Sequence, residues 1–207
     1  MKKGSENCHF NEPADLSLCV VTAKGSRVTD GIIANHLFKA REIWPNIPIP
    51  EPCRKTMSYE PNAEDIDPNE SIPNDKNDIR YIAMRECPDV DIAVVYIKGQ
   101  YFKDKNTIAV SYYTDERPYL IVMSDGTIKS DYALAHELGH ILFHTFFAGI
   151  ANDPNPYKRP DGTIDYAHDN DSHNVMWPNA PLNAVSTKEQ REIARFSTLL
   201  GNTSSDK

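Results

Sequence analysis

No stretch of the chain approaches the ~20 consecutive apolar residues that a membrane-spanning helix needs. The first ten residues, MKKGSENCHF, are basic but lack the apolar run of a cleavable export signal. Basic residues are in deficit overall: 22 Lys and Arg stand against 30 Asp and Glu, a formal net charge of −8. That balance argues against a nucleic-acid partner, because phosphate binding needs a concentrated basic surface. The four cysteines, Cys8, Cys19, Cys53 and Cys87, include no C-x-x-C pair. A cysteine zinc site is therefore not expected, and three disulfide pairings remain that spacing cannot separate. An even cysteine count leans toward an oxidising compartment, so the expectation is a protein secreted or delivered outside the cell that makes it. No internal repeat is present.

What is there suffices for one core. With 207 residues, 40% of them hydrophobic, a single domain over residues 10–201 is expected, acting as a monomer. The run LSLCVVTA (16–23) is β-branched and reads as a first strand. In VTDGIIANHLFKAREIW, Ile33, Leu37, Ala40 and Trp44 recur at helical spacing, and Pro45, Pro48, Pro50 and Pro52 end that helix. From about 50 to 77 Pro, Asn, Asp and Glu dominate, which reads as a surface insertion. Cys53 and Cys87 flank it, and a bond between them would limit its loop entropy; two free thiols are the alternative. VDIAVVYI (90–97), NTIAVSYY (106–113) and PYLIVMSD (118–125) are further strands, and Asp125-Gly126 is a turn signal. The stretch after residue 147, rich in Asp, Asn, Pro and Gly, reads as loop. The last element, 187–200, is a helix with Ile193, Phe196 and Leu200 on one face, capped by Ser186 or Thr187 with Glu189 or Gln190 three residues on, and ended by Gly201.

The chemistry concentrates in HELGHILFHTFF (136–147). On a helix His136 and His140 stand ~40° apart around the axis and ~6 Å along it, so both imidazoles can reach one ion. Leu134, Leu138, Ile141 and Leu142 form the opposite, core-facing stripe. Glu137 falls beside such an ion without having to bind it, the place for a general base acting on metal-activated water. An ordinary helix with two surface histidines is the blander alternative. His144 lies ~12 Å along the axis from His136, too far for one ion on an unbroken helix, and no Gly or Pro between them breaks it. It is kept only as a lower-ranked ligand.

A third ligand is sought in HDNDSHNVMWP (168–178). His168 precedes Met176 by eight residues within Asn174-Val175-Met176-Trp177-Pro178. Together with H-E-L-G-H, this segment resembles the metzincin zinc metalloproteases, and among them the matrixin-like branch, where a third zinc-binding His precedes a methionine-bearing tight turn. In that family the Met is a floor under the metal rather than a ligand. The order of the helix at 36–44, the strands and the closing helix is similar too, so the likeness covers most of the chain. It departs from the family pattern H-E-x-x-H-x-x-G-x-x-H, since Phe143 and Phe146 occupy the Gly and third His positions. An insertion at about 145–167 must therefore precede His168, with Gly149 taking over as helix terminator. His173, Asp169 and Asp171 are competing third ligands, because a carboxylate also suits zinc.

The resemblance implies an α+β, zincin-like fold: a twisted, mostly parallel sheet with an antiparallel edge strand, an active-site helix, a Met-turn and a C-terminal helix. It implies one catalytic zinc on His136, His140 and His168, Glu137 as general base, and Met176 in the turn. The substrate would be a polypeptide lying extended along 106–113, with WPNAPLNAV (177–185) shaping the pocket on the leaving side. RECPDVD around Cys87 is similar to the family's prodomain switch, yet it runs straight into a core strand, which argues against that role. Asp104, Asp115, Asp125, Asp161 and Asp165 could include a Ca2+ site, but their spacing supports none. The absence of His from 98–116 argues against a second, structural zinc. HELGHILFH is also similar to bacterial metallopeptidases that cut phage-type repressors, against which HNVMWP discriminates, and a non-catalytic zinc-binding module is a third reading.

Overall fold

The structure, a computed structural model, describes residues 15–70, 79–113, 117–144, 152–179 and 181–200. Five strands make its main sheet: β1 (Leu18–Ala23), β2 (Cys53–Met57), β3 (Ile92–Ile97), β4 (Ala109–Tyr112) and β5 (Tyr119–Ser124). Their order is β2-β1-β3-β5-β4. β1 pairs in parallel with both β2 and β3, and β3 in parallel with β5, while β4 runs antiparallel to β5 at the edge. The fold is thus α+β with a mostly parallel sheet.

Side-chain alternation along the strands divides the core into two layers. Val20, Val94, Tyr96, Ile121 and Met123 face helices α1 (Asp30–Ile43) and α3 (Ala133–His144), meeting Leu37, Trp44, Leu134 and Leu138. Cys19, Val21, Ala93, Val95 and Val122 face the other way, toward Ile79, Ile82 and Ala83 of α2 (Ile79–Glu86). β3 is consequently buried at every position, as a parallel strand covered on both sides must be. Thr29 caps α1 by accepting the Ile32 N–H. Trp44, buried at the end of α1, donates its indole N–H to the Ala135 carbonyl at 2.9 Å and so fixes α1 against the first turn of α3.

The sequence-based expectations for β1, β3, β4, β5 and the first and His-bearing helices agree with these elements. Others need correction. The 50–77 stretch, read as surface insertion, contributes Cys53–Met57 as an outer strand of the sheet. Its alternating, half-exposed sequence CRKTM carries no apolar signal because one side of an edge strand meets solvent. α2 was not anticipated at all. Cys87 bonds to Cys19, not to Cys53, stapling the end of α2 to β1. None of the described cysteines is free, which removes both the free-thiol alternative and a metal-capping thiolate at Cys87. The stretch after α3, read as loop, contains an antiparallel hairpin, β6 (Pro156–Lys158) and β7 (Ile164–Asp169). Its turn is the Pro160-Asp161-Gly162-Thr163 signal, with Gly162 at φ +86. The closing helix α4 (Lys188–Arg195) carries a Thr187–Gln190 capping box. It ends before Phe196, which is half exposed rather than on the core face with Leu200. Gly149 and Asp115 lie outside the described residues.

Candidate metal centre

α3 is held by the core stripe expected of it: Leu134, Leu138, Ile141 and Leu142 are fully buried. Its opposite face turns His136 and His140 toward each other, their Nε2 atoms 3.0 Å apart. Two nitrogens bound at about 2.0–2.1 Å in a tetrahedral shell would lie ~3.3 Å apart, so the pair needs little movement to share an ion. The third imidazole arrives from the hairpin. His168 lies with its ring centroid 5.4 Å from that of His136 and 4.9 Å from that of His140. One ring nitrogen from each of the three lies within 4.8 Å of the others, and this is the group of three among the described residues that could hold a metal.

Hydrogen bonds at the far side of two rings decide which nitrogen faces inward. His136 Nδ1 donates to the Val175 carbonyl at 2.7 Å, and His168 Nδ1 to Asp165 Oδ2 at 3.0 Å. Each bond leaves Nε2 as the free lone pair. Burial lowers the pKa of His140 well below its ordinary value, with His136 and His168 adding to the fall, and burial likewise lowers His168. Neutral imidazoles are the form a metal requires.

Glu137, nearly enclosed, sits between α3 and the edge strand. The Ser111 hydroxyl on β4 lies 2.5 Å from Glu137 Oε2 and 3.0 Å from the Glu137 carbonyl. Burial pushes the Glu137 carboxyl pKa up, opposed by His136 and by the Ser111 bond. A cleft of about 550 Å³ opens over these groups, running along Asn106 to Ser111 and bounded by Ser130, Pro178 and Asn179. None of its described lining residues is Lys or Arg.

Beneath the site the chain makes a tight turn. Met176 N–H donates to Asn174 Oδ1 at 2.8 Å and Trp177 N–H to the Asn174 carbonyl at 3.0 Å. Met176 is fully buried against Gly139, where any side chain would collide with the Met176 sulfur. The glycine between the two histidines is therefore what lets this turn approach α3.

Of the candidates named from sequence, His136, Glu137, His140, His168 and Met176 converge. The other ligand candidates do not. His144 ends an unbroken α3 and stacks on Tyr113, with ring centroids 3.8 Å apart. His173 is exposed and pairs with Asp171. Asp169 is buried, but in a separate polar cluster with Asn155 and Gln190. The described acids once considered for Ca2+ are scattered: Asp125 binds Ser26 and Arg27, Asp104 and Asp161 close their own turns, and Asp165 serves His168. Sequence reasoning missed Ser111 and Arg159, and weighed Asp165 only as a Ca2+ ligand rather than as the partner of His168. Ser111 shares a face of β4 with Ala109 by the two-residue period, and the Pro-Asp-Gly turn could have announced the hairpin that carries the other two.

Fold and centre together define a class: an α+β protein with a mostly parallel sheet and a partly buried three-histidine site beside a glutamate. No protein-family model matches the chain, and no curated protein matches it. Among solved structures it is similar to metalloproteinase-II from Bacteroides fragilis, at 12% identity with a TM-score of 0.61, over 89% of this chain and 52% of that one. At that identity the likeness establishes a shared fold, and the chain spans about half the length of the solved structure.

Proposed function

We propose that the chain is a zinc-dependent endopeptidase of metzincin type, nearest the matrixin-like branch. The observation that carries this is the convergence of three imidazoles, two with their Nδ1 already committed, beside a buried carboxyl that opens on a cleft along the outer strand β4. The donor set fits zinc: three imidazole nitrogens, no thiolate, and no lysine or arginine in the described cleft wall. His136, His140 and His168 would hold the ion, which supplies Lewis acidity for the attack of water on a peptide carbonyl.

The protein's own groups do the rest. Glu137, its pKa raised by burial, accepts a proton from the attacking water and returns it to the leaving amine. Ser111 holds that carboxylate on the cleft side of α3. Among the described residues β4 is the outer strand of the sheet, the edge along which an extended polypeptide would align by strand addition. Met176 and its turn brace the floor of the site as the Met-turn of this class. The Cys19–Cys87 disulfide favours action in an oxidising compartment, outside the producing cell.

The test is cleavage of a proteome-derived peptide library, with new termini read by mass spectrometry. Wild type loaded with zinc is expected to generate new termini, and Glu137→Ala to generate none while still binding zinc. Cleavage that persists in Glu137→Ala would sink the assignment of the base. No cleavage by zinc-loaded wild type on any substrate would favour a binding module.

A further inference from the structure

The third histidine stands on a bulge, and one carboxylate holds that bulge together. Between β6 and β7 the register steps from Asp165 to Asp169 while β6 moves only from Tyr157 to Pro156. Tyr166, Ala167 and His168 are therefore looped out of the ladder, the device by which a strand re-aims a side chain. Asp165 Oδ1 accepts the Ala167 N–H at 3.1 Å, closing the start of the bulge. Its Oδ2 accepts His168 Nδ1–H at 3.0 Å and also the Arg159 guanidinium at 2.7 Å. Arg159 itself is fixed at the hairpin turn, where its N–H donates to the Thr163 carbonyl at 2.9 Å. Asp165 and His168 are largely buried, whereas half of the Arg159 side chain meets solvent.

We propose that Asp165, braced by Arg159, is the positioning residue that fixes the tautomer and orientation of His168, and so sets how tightly the site retains its metal. The proposal rests on the reading of the three histidines as a zinc site. The two histidines of α3 need no such brace from a side chain, because the helix is locked by its core stripe and His136 leans on a backbone carbonyl. His168 stands instead on a strand that is mostly exposed. A carboxylate behind a histidine ligand selects Nδ1–H, leaves Nε2 unprotonated toward the metal, and raises the basicity of the ring. Loss of such a partner lowers metal affinity ~10–100-fold.

The experiment measures the zinc dissociation constant of the full chain by competition with a chromogenic chelator, alongside 15N NMR of the His168 ring in metal-free protein. Three variants accompany wild type. Asp165→Asn is isosteric but cannot accept from Arg159, Ala167 and His168 together. Arg159→Ala removes only the brace. Asp161→Ala loosens the hairpin turn, where Asp161 accepts from Thr163, without touching His168. Expected are a 10–100-fold weaker zinc constant for Asp165→Asn, a smaller loss for Arg159→Ala, and a change under about threefold for Asp161→Ala. Wild-type affinity in Asp165→Asn would overturn the proposal. So would an equal loss in Asp161→Ala, which would make hairpin order, rather than the carboxylate, the cause. Failure of wild type to bind zinc would instead overturn the underlying site reading. In that event the 15N spectra still decide the positioning role: a shift of His168 away from Nδ1–H in Asp165→Asn supports it, and an unchanged ring overturns it.

Discussion

The two halves of the candidate metal centre are built on opposite principles. His136, Glu137 and His140 ride on a helix whose other face is among the most deeply buried surfaces of the molecule. His168 comes from a two-stranded hairpin, short and mostly exposed, that is tied to the body by polar contacts: Asp169 N–H to the Met176 carbonyl, Asp153 N–H to the Tyr166 carbonyl, and a side-chain cluster around Gln190. Burial of apolar area positions the first half and hydrogen bonds the second. The first should therefore fail by global unfolding, and the second by local loosening that leaves the fold intact.

The largest effect should come from the helix. Leu138 is fully buried in that face. Leu138→Ala should cost about 2–5 kcal/mol in equilibrium denaturation, the range for a cavity in a packed core. The zinc affinity of the molecules that remain folded should stay near wild type. A variant that loses zinc without losing stability would break the contrast between the halves.

Next comes the knot behind the hairpin. Gln190 Nε2 lies 2.7 Å from Asp153 Oδ2, 3.1 Å from Asp169 Oδ2 and 3.0 Å from Asn174 Oδ1, all of them buried. Gln190→Ala leaves these acceptors short of a donor, at about 1–3 kcal/mol for each buried group left unsatisfied. Amide hydrogen exchange should show faster exchange at Asp169 and in the turn around Asn174, with the α3 amides still protected. Equal loss of protection in both halves would mean that hairpin and helix unfold as one unit.

The same contrast explains what could be read from the chain alone. Apolar periodicity and β-branched runs are local signals, so α3, α1 and the inner strands were legible, as was the H-E-x-x-H spacing within one helix. β2 was hidden because CRKTM sits at an edge, and β6–β7 because PYK and IDYAHD are too polar to show an apolar alternation. His168 was reached through its distance to Met176, a resemblance rather than a periodicity. Asp165, Arg159 and Ser111 act only through contacts formed by folding, and no spacing rule in one sequence exposes them. The Cys19–Cys87 pairing was equally hidden, since it depends on α2 packing beside β1.

The smallest effect sharpens the comparison through pH. Asp153 is buried beside Asp169, and burial first, with the neighbouring carboxylate adding to it, raises its pKa from an ordinary 3.8 to about 7. Between those values the folded protein keeps a proton that the unfolded chain has released. Unfolding then releases protons, so this group makes stability fall as pH rises from about 4 toward 7, with little further change above. The slope cannot exceed about 1.4 kcal/mol per pH unit for one proton. Asp153→Asn removes the titration while keeping an oxygen that can accept from Gln190. His140 contributes the opposite sign, because its folded pKa is depressed and its share of stability grows as pH rises. The informative quantity is therefore the difference between wild type and Asp153→Asn, measured on metal-free protein by denaturation from pH 4 to 8. The variant should gain on wild type steadily up to about pH 7. Parallel curves would mean that Asp153 is ionised throughout, and that no proton held by Asp153 helps anchor the hairpin.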